Sequence, residues 1–475
     1  MRTTSRCATP WLAVLTILGV AGCATYHPAP LAPVHSEQEY RMRTLTDPGL
    51  RQFAKSNLGS SLRKWPPPKW DLSRLTLVAF YYHPDLDVAL ARVAVAEAGI
   101  KAAGGRLNPR VGVAAGHTTS PESPWLYGFN FDIPTGAPGK RHYRVAQARA
   151  LTEAARLQVA ETAWQVRSRL RAALVEHLLA RRKLELLRAE ETARADAARI
   201  MEQRLAVGEI SRPDMNAVRA ERSTTRVALK AAEGRVTETL AMLAAALGVP
   251  VSALAGAKFN SPHLDQPLAP EALAPDKLQR AGLLNRIDVR RALAEYAATE
   301  AALHLEIAKQ YPNIHLGPSY AFDDGQSKYK LGVSLALPLL NRNQGPIAEA
   351  EARRKQSAAQ FLALQAKVIG ETDQASARYR AALASYDDAN TLVALLKEQE
   401  SAMQHAVQIG ESDSLALAGL RVRSAVAARS SLTALHKAQL ALGDLENAVQ
   451  RPLDGSAPLP PVPERGSGAM KGTKP

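Results

Sequence analysis

Residue types able to do chemistry are present in this chain, but their spacing matches no catalytic or nucleotide-binding pattern. The eleven histidines are scattered, and none pairs with a cysteine or carboxylate at the spacing of metal ligands. No GxxxxGK[ST] sequence occurs, so the sequence offers no loop that would cradle the phosphates of ATP. His117, His142 and His315 fall near predicted strands, and we interpret them as side chains of the surface or of a lumen. We therefore expect no enzyme, no cofactor and no metal site.

Covalent chemistry is indicated at one residue, Cys23. Two arginines precede the apolar stretch WLAVLTILGVAGC, which ends in small residues, as in a signal peptide. Val20-Ala21-Gly22-Cys23 resembles the cleavage box of bacterial lipoproteins, which implies removal of residues 1–22 and attachment of lipid, palmitate included, to Cys23. By the same resemblance, Ala24 after the cysteine favours the outer membrane. An ordinary signal peptide with an incidental cysteine is the alternative.

Composition limits the class of protein further. Of the two cysteines, Cys7 lies inside the predicted signal peptide, so we expect no disulfide in the mature chain. The formal charge of +15 would suit a protein that binds nucleic acid, but the export signal argues against that partner. Hydrophobic residues make up 46% of the chain and aromatic residues only 5%, because alanine dominates. This composition predicts long, closely packed helices with basic residues on their solvated faces.

The chain presents nearly the same order of features twice. Gly208-Glu209 matches Gly410-Glu411 at a separation of 202 residues, and Asp87-Val88 matches Asp288-Val289 at a separation of 201. A near-constant separation carried through helices, strands and turns indicates a tandem duplication. The predicted layout is a signal peptide (1–22), a lipid-anchored tether with short helices (23–82), repeat one (83–247), a linker (248–284), repeat two (285–451) and a disordered tail (452–475).

Each repeat is predicted to contain a helix, a β-hairpin, a very long helix and a further long helix. The predicted hairpins span about 110–134 and 313–338, the very long helices 140–207 and 347–409, and the helices after them 214–247 and 412–450. A helix over 140–207 would be about 100 Å long, wider than one globular core. At the tips, a glycine ends one helix and Ser211 or Ser412 is predicted to cap the next. Each repeat should thus fold back as a helical hairpin packed as a coiled coil.

The predicted strands alternate between an apolar and a polar face. In the segment LYGFNFDI, Tyr127, Phe129 and Phe131 share one face, and Asn130 and Asp132 share the other. This pattern is typical of membrane barrels. Four strands cannot close a barrel, and an open edge in lipid leaves unpaired backbone groups at a cost of several kcal/mol each. We therefore expect a barrel shared between chains. A small soluble sheet with its apolar face buried against the helices is the alternative.

The order of these elements, given twice over about residues 80–450, resembles the TolC family of outer-membrane efflux ducts. The matching motifs are NPRVGV and YPNIHL at the hairpins and AVGEISRPD and QIGESDSLA at the tips. The resemblance implies an α+β membrane protein: a homotrimer with a 12-stranded outer-membrane β-barrel, four strands per chain, continued by a periplasmic α-helical barrel. It also implies a passive duct that opens at its tip when a periplasmic adaptor (membrane fusion) protein and an inner-membrane pump dock.

The resemblance places the tips at Gly208, Glu209, Gly410 and Glu411 and a gate of carboxylates just beyond them. Asp214 stands where such a carboxylate is usual, but the second repeat has Ala416 and Gly419 at the equivalent positions. Asp413, one helical turn earlier, is the candidate substitute, unless it is only a helix N-terminal charge. Alternatives for the whole protein are a duct for type I protein secretion and a coiled-coil lipoprotein scaffold without a channel. The sequence does not identify the cargo.

Overall fold

The computed structural model describes residues 25–58, 64–119, 123–269 and 275–453. The predicted signal peptide, Cys23, loop residues 120–122 and nearly all of the predicted tail lie outside these ranges. The chain divides into two units, residues 1–43 and residues 44–475. In the first unit, helix α1 (Pro33–Arg41) is a short helix within the segment predicted as a tether with short helices, and Arg41 pairs with Glu37 at 2.7 Å.

The second unit carries the duplicated elements. In chain order these are α2 (Pro48–Leu58), α3 (Leu72–Tyr82), α4 (Pro84–Ala103), β1 (Arg110–His117), β2 (Trp125–Thr135), α5 (Lys140–Ala206), α6 (Arg212–Leu247), a 3-10 turn (Val251–Leu254), α7 (Pro275–Asn285), α8 (Ile287–Ala308), β3 (Ile314–Asp323), β4 (Gln326–Leu335), α9 (Gln344–Gln408) and α10 (Ser414–Val449). With 67 and 65 residues, α5 and α9 are each about 100 Å long. Among the described residues, no helix is both long enough and apolar enough to cross a membrane.

Residues with positive φ mark equivalent turns of the two repeats. The pairs are Gly139 and Asn343, Gly208 and Gly410, and Gly248 and Gln450. They stand before α5 and α9, after α5 and α9, and at the ends of α6 and α10. Gln450 keeps a left-handed backbone without being glycine, and its Oε1 accepts a hydrogen bond from the backbone N–H of Ile287 at 2.7 Å. The duplication is therefore visible in backbone angles as well as in sequence.

The repeated unit begins one helix earlier than predicted. Helices α3 and α7 have 11 residues each and begin 203 residues apart, and α4 and α8 also begin 203 residues apart. Thus α7 lies in repeat two, although the prediction assigned its residues to the linker 248–284. The predicted match of Asp87 to Asp288 is wrong by two residues: in the first turn of each helix, Asp85 is equivalent to Asp288 and Val88 to Arg291.

The main core forms where α3 packs against the two long helices of repeat one. Asp71 caps α3 by accepting a hydrogen bond from the backbone N–H of Arg74 at 2.9 Å. The buried side chains include Leu75 and Phe80 of α3, Leu170 and Leu174 of α5, and Leu243 and Leu247 of α6. Repeat two has the corresponding cluster, with Leu278 of α7, Tyr379 of α9 and Leu445 of α10. These cores fix the ends of the helical hairpins far from their tips.

The long helices lie side by side in a fixed order. Helix α5 packs against α4 and α8 along its first part and against α6 and α10 along its second part. Helix α9 packs against α8 and then α10. The lateral order is therefore α4–α5–α8–α9 nearer the strands and α6–α5–α10–α9 nearer the tips. One lateral edge is formed by α4 and α6, and the other by α9.

The strands form one antiparallel sheet in the order β1-β2-β3-β4. Each hairpin comes from one repeat, and the pairing of β2 with β3 joins the repeats, for example at Phe129 opposite Tyr320. Within the part of the chain that the structure describes, the outer strands β1 and β4 each have one edge without a partner. The sheet is therefore a segment with two open edges.

Candidate functional site

The register of the sheet aligns apolar side chains across all four strands. One row runs through Val113, Phe129, Tyr320 and Tyr329. The ring centroids of Phe129 and Tyr320 are 5.5 Å apart, and those of Tyr320 and Tyr329 are 5.3 Å apart. Nevertheless Val113 is 81% exposed and Tyr329 is 80% exposed, because none of the described helices covers this face. The alternative of a soluble sheet with its apolar face buried on the helices is therefore wrong.

The opposite face of the sheet is polar. Asp132 and His315 lie 2.7 Å apart on neighbouring strands, and Lys328 donates to Asp323 at 2.8 Å. The other two histidines near the sheet contact aromatic rings, His117 with Trp125 and His142 with Tyr143. No group of three or more His, Cys, Asp or Glu able to hold a metal ion occurs among the residues that the structure describes.

The tip of repeat one is closed by a glycine turn and a capping box. Gly208 has φ of 80°, and its backbone N–H donates to the carbonyl of Leu205 at 3.1 Å. Ser211 then caps α6, since its Oγ accepts from the backbone N–H of Asp214 at 3.3 Å and the Asp214 carboxylate accepts from Ser211. The hydroxyl and backbone N–H of Ser211 hold the pKa of the Asp214 carboxyl below its usual range. Asp214 therefore stays charged while it accepts the hydrogen bonds of the capping box.

The tip of repeat two has the same turn but a different cap. Gly410 has φ of 78°, and Glu411 N–H donates to the carbonyl of Ala406 at 2.9 Å. Asp413, and not the predicted Ser412, caps α10, because its carboxylate accepts from the backbone N–H of Leu415 at 3.1 Å. Ser412 lies one residue too early, and its hydroxyl contacts the sulfur of Met403.

The two tips are joined by an ion pair. Arg204, in the last turn of α5, donates to Asp413 at 2.6 Å. The backbone N–H of Leu415 and the Arg204 guanidinium together hold the pKa of the Asp413 carboxyl below its usual range. Both gate candidates are thus exposed and ionised: Asp413 is the N-cap of α10, and Asp214 is the third residue of α6 in its capping box. The role of either in a gate stays a prediction.

Ion pairs also run along the joint between α5 of repeat one and α10 of repeat two. Buried Glu446 of α10 lies 3.3 Å from Arg167 and 3.2 Å from Arg171. Nearer the tip, buried Glu190 of α5 accepts from Arg429 at 3.1 Å. These pairs join residues more than 200 positions apart, and the sequence analysis missed them because helical periodicity gives no such pairing.

A family model described as "Outer membrane efflux protein" matches residues 79–249, which contain most of repeat one. A curated relative is the cobalt-zinc-cadmium resistance protein CzcC of Cupriavidus metallidurans, 26% identical over 234 residues. That alignment covers 49% of this chain and 54% of the relative, so the chain spans about half the length of the curated relative that it matches.

Solved structures share the fold over most of the chain. VceC, an outer membrane protein of Vibrio cholerae, is 18% identical with a TM-score of 0.63, covering 81% of this chain and 97% of VceC. The MtrE outer membrane channel of Neisseria gonorrhoeae is 15% identical with a TM-score of 0.60, covering 81% and 90%. These findings confirm the resemblance, the duplicated fold and the expected link to the outer membrane.

Proposed function

We propose that this chain, whose resemblance to outer-membrane efflux proteins is confirmed, is the outer-membrane exit duct of a tripartite efflux pump. The observation that carries the proposal is the four-stranded sheet with an exposed apolar face, a polar opposite face and two open edges. An apolar face of this kind is stable against lipid, and the polar face then lines a lumen. Open edges cannot remain unpaired in lipid.

Assembly of three copies of the chain would pair the open edges of the sheet. Strand β4 of one copy would pair with β1 of the next copy, and the alternation of strand directions makes that pairing antiparallel. Three copies then close a barrel of 12 strands without an edge. Six long helices and their partners would continue it as a helical barrel, with the polar sheet face leading into its interior.

The helices and tips supply the rest of the duct. At about 100 Å, α5 and α9 reach far into the periplasm from a barrel in the outer membrane. The tips at Gly208 and Gly410 would meet a periplasmic adaptor, and an inner-membrane pump would supply the energy. Lipid on Cys23 would add an anchor in the outer membrane, since an acyl chain attaches a protein without spanning the bilayer.

Divalent transition-metal cations are the cargo that we test first, because the curated relative is named for cobalt, zinc and cadmium resistance. A strain that lacks this chain should become sensitive to these metals, and the wild-type gene should restore resistance. A strain that instead fails to secrete a protein would favour the type I secretion alternative.

Channel activity is tested with purified protein in planar lipid bilayers. We expect stepwise conductance from a trimer extracted from the outer membrane. A coiled-coil scaffold predicts no conductance and no heat-resistant oligomer. Because the tip is expected to open when the adaptor docks, absence of conductance from a folded trimer even with its adaptor bound would overturn the duct. A stable folded monomer in detergent would overturn the shared barrel.

A further inference from the structure

The duplication gives a template for contact between copies of the chain. Within one chain, repeat one meets repeat two where α5 packs against α8 and α10. In a closed ring, repeat two of one copy must meet repeat one of the next in the same way, with α9 in the place of α5 and with α4 and α6 in the places of α8 and α10. This step rests on the proposed trimer.

Burial fixes which residues are equivalent. Along the long helices, a separation of 202 residues relates Val166 to Val368 and His177 to Tyr379, and all four are buried. The same separation relates the N-caps of α6 and α10, Ser211 and Asp413. Between α4 and α8 the separation is 203, as their starting residues require.

One ion pair of the internal joint has apolar equivalents at the two lateral edges. Glu190, 2% exposed, pairs with Arg429 inside the chain. Their equivalents are Leu392 on α9 and Val227 on α6. In the single chain Leu392 is 49% exposed and Val227 is 69% exposed.

A second ion pair of the internal joint also has apolar equivalents at the lateral edges. Arg291 of α8 pairs with Glu161 of α5 at 3.0 Å across the internal joint. The equivalent of Arg291 is Val88 on α4, 53% exposed, and that of Glu161 is Ala363 on α9. Two turns further along α4, Val95 is exposed, whereas its equivalent on α8, Ala298, is buried. Large exposed apolar side chains thus occur where the internal joint is closed.

We propose that copies of this chain associate through an apolar joint, in which Leu392 of α9 packs on Val227 of the next copy and Ala363 packs on Val88 of the next copy. Charge pairs fill the same positions inside the chain. At these two positions the joints in the ring therefore differ in chemistry: charge pairs within a chain and apolar contacts between chains.

A disulfide tests the register of the joint. Val227→Cys and Leu392→Cys are combined in a Cys7→Ser/Cys23→Ser background, so that no other thiol is present. Within one chain α5 and α10 separate these positions by roughly 25 Å, at 8–10 Å per helix contact, which is beyond the reach of a disulfide. We expect covalent dimers and trimers on oxidation. The matched control, Val227→Cys with Leu362→Cys, places the thiols about 45 Å apart along the helices and should not crosslink.

Transplanting the internal ion pair tests the chemistry. Leu392→Glu alone should weaken trimer association at least about tenfold, because it buries an unpaired charge. Val227→Arg combined with Leu392→Glu recreates the Arg429–Glu190 pair between copies and should restore much of the association. A trimeric Val227→Cys/Leu392→Cys variant that shows no crosslink on oxidation, together with a trimer unaffected by Leu392→Glu, would overturn this joint and leave the duct standing. A monomeric wild-type chain would overturn both.

Discussion

Nη2 of Arg204 lies 2.6 Å from Oδ1 of Asp413, so the last turn of α5 in one repeat holds the cap of α10 in the other. Arg204→Met should leave that cap in place and expose the Asp413 charge. Because both side chains are partly exposed, the loss in stability should be only about 0–1 kcal/mol. We expect higher cation preference in planar bilayers at low salt, measured as a reversal potential.

Asp413→Asn is the matched opposite change. Asparagine caps helices about as well as aspartate, so α10 should keep its first turn while the charge is lost. Cation preference should fall if three Asp413 carboxylates face the lumen at the tip. Unchanged reversal potentials in both variants, with conductance intact, would show that Asp413 is a helix cap only.

Gly410→Val tests the left-handed turn at the second tip. No atom would contact the added Cβ, so the penalty comes from the positive φ and should be about 1–2 kcal/mol or more for a β-branched residue. We expect impaired resistance in cells with the trimer still formed. Gly234→Ala, in helix α6 with open space around it, is the control and should leave function unimpaired. Equal loss of function in both would refute a special role for the turn.

Glu446→Ala tests the buried pair between the repeats. The change leaves the Arg167 and Arg171 guanidinium groups without this partner in a buried site, so we expect a loss of about 3–5 kcal/mol in unfolding free energy. Thermal unfolding of the detergent-solubilised protein measures it. Glu349→Ala, at an exposed pair on α9, should cost under about 1 kcal/mol. Similar costs for the two variants would contradict the assignment.

His177 should make the fold sensitive to mild acid. Burial lowers the pKa of this side chain, whose Nδ1 lies 3.2 Å from the Thr239 hydroxyl. Below about pH 6.5, His177 is therefore protonated in the unfolded chain but stays neutral in the folded chain. Proton binding then favours the unfolded state, so the free energy of unfolding falls with falling pH by up to about 1.4 kcal/mol per pH unit. His177→Phe should flatten this part of the dependence of unfolding temperature on pH. An unchanged slope between pH 7 and pH 5 would contradict the prediction.

Cys23 offers a test of the anchor. Cys23→Ser should abolish lipid labelling and slow cleavage of the signal peptide, while the fold survives because the anchor adds no strand pairing. Intact-mass analysis of the wild-type protein should show acyl groups. A wild-type mass without them would leave an ordinary signal peptide as the explanation.

Period-two alternation and turn residues made part of this structure predictable from sequence. Phe129 and Asn130 fall on opposite sheet faces as the alternation requires, and Gly208 and Gly410 adopt the left-handed turns that glycine permits. Both signals are local, and each depends on one residue and its immediate neighbours.

Features set by packing were not predictable in this way. Helix α7 was hidden by the prolines around it, and Ser412 and Asp413 are both good caps that differ by one position. The pairs Glu190–Arg429 and Arg167–Glu446 depend on which helices lie side by side, which no local pattern records. The two-residue error at Asp87 arose because the match relied on the dipeptide Asp-Val, which occurs in both helices, and not on the residues where the helices begin.

Because two repeats lie on one chain, the joint within a chain and the joint between chains need not be identical. In a ring of six separate copies, a substitution at one joint would appear at every joint, and a charge would have to find its partner six times. A tandem duplication removes that constraint, because alternate joints can then differ in sequence. The joint within the chain forms when the chain folds, and the joint between chains forms when the copies assemble. Glu190 faces an arginine inside the chain, whereas its equivalent Leu392 is proposed to face a valine of the next copy, so the two joints have already diverged at this position.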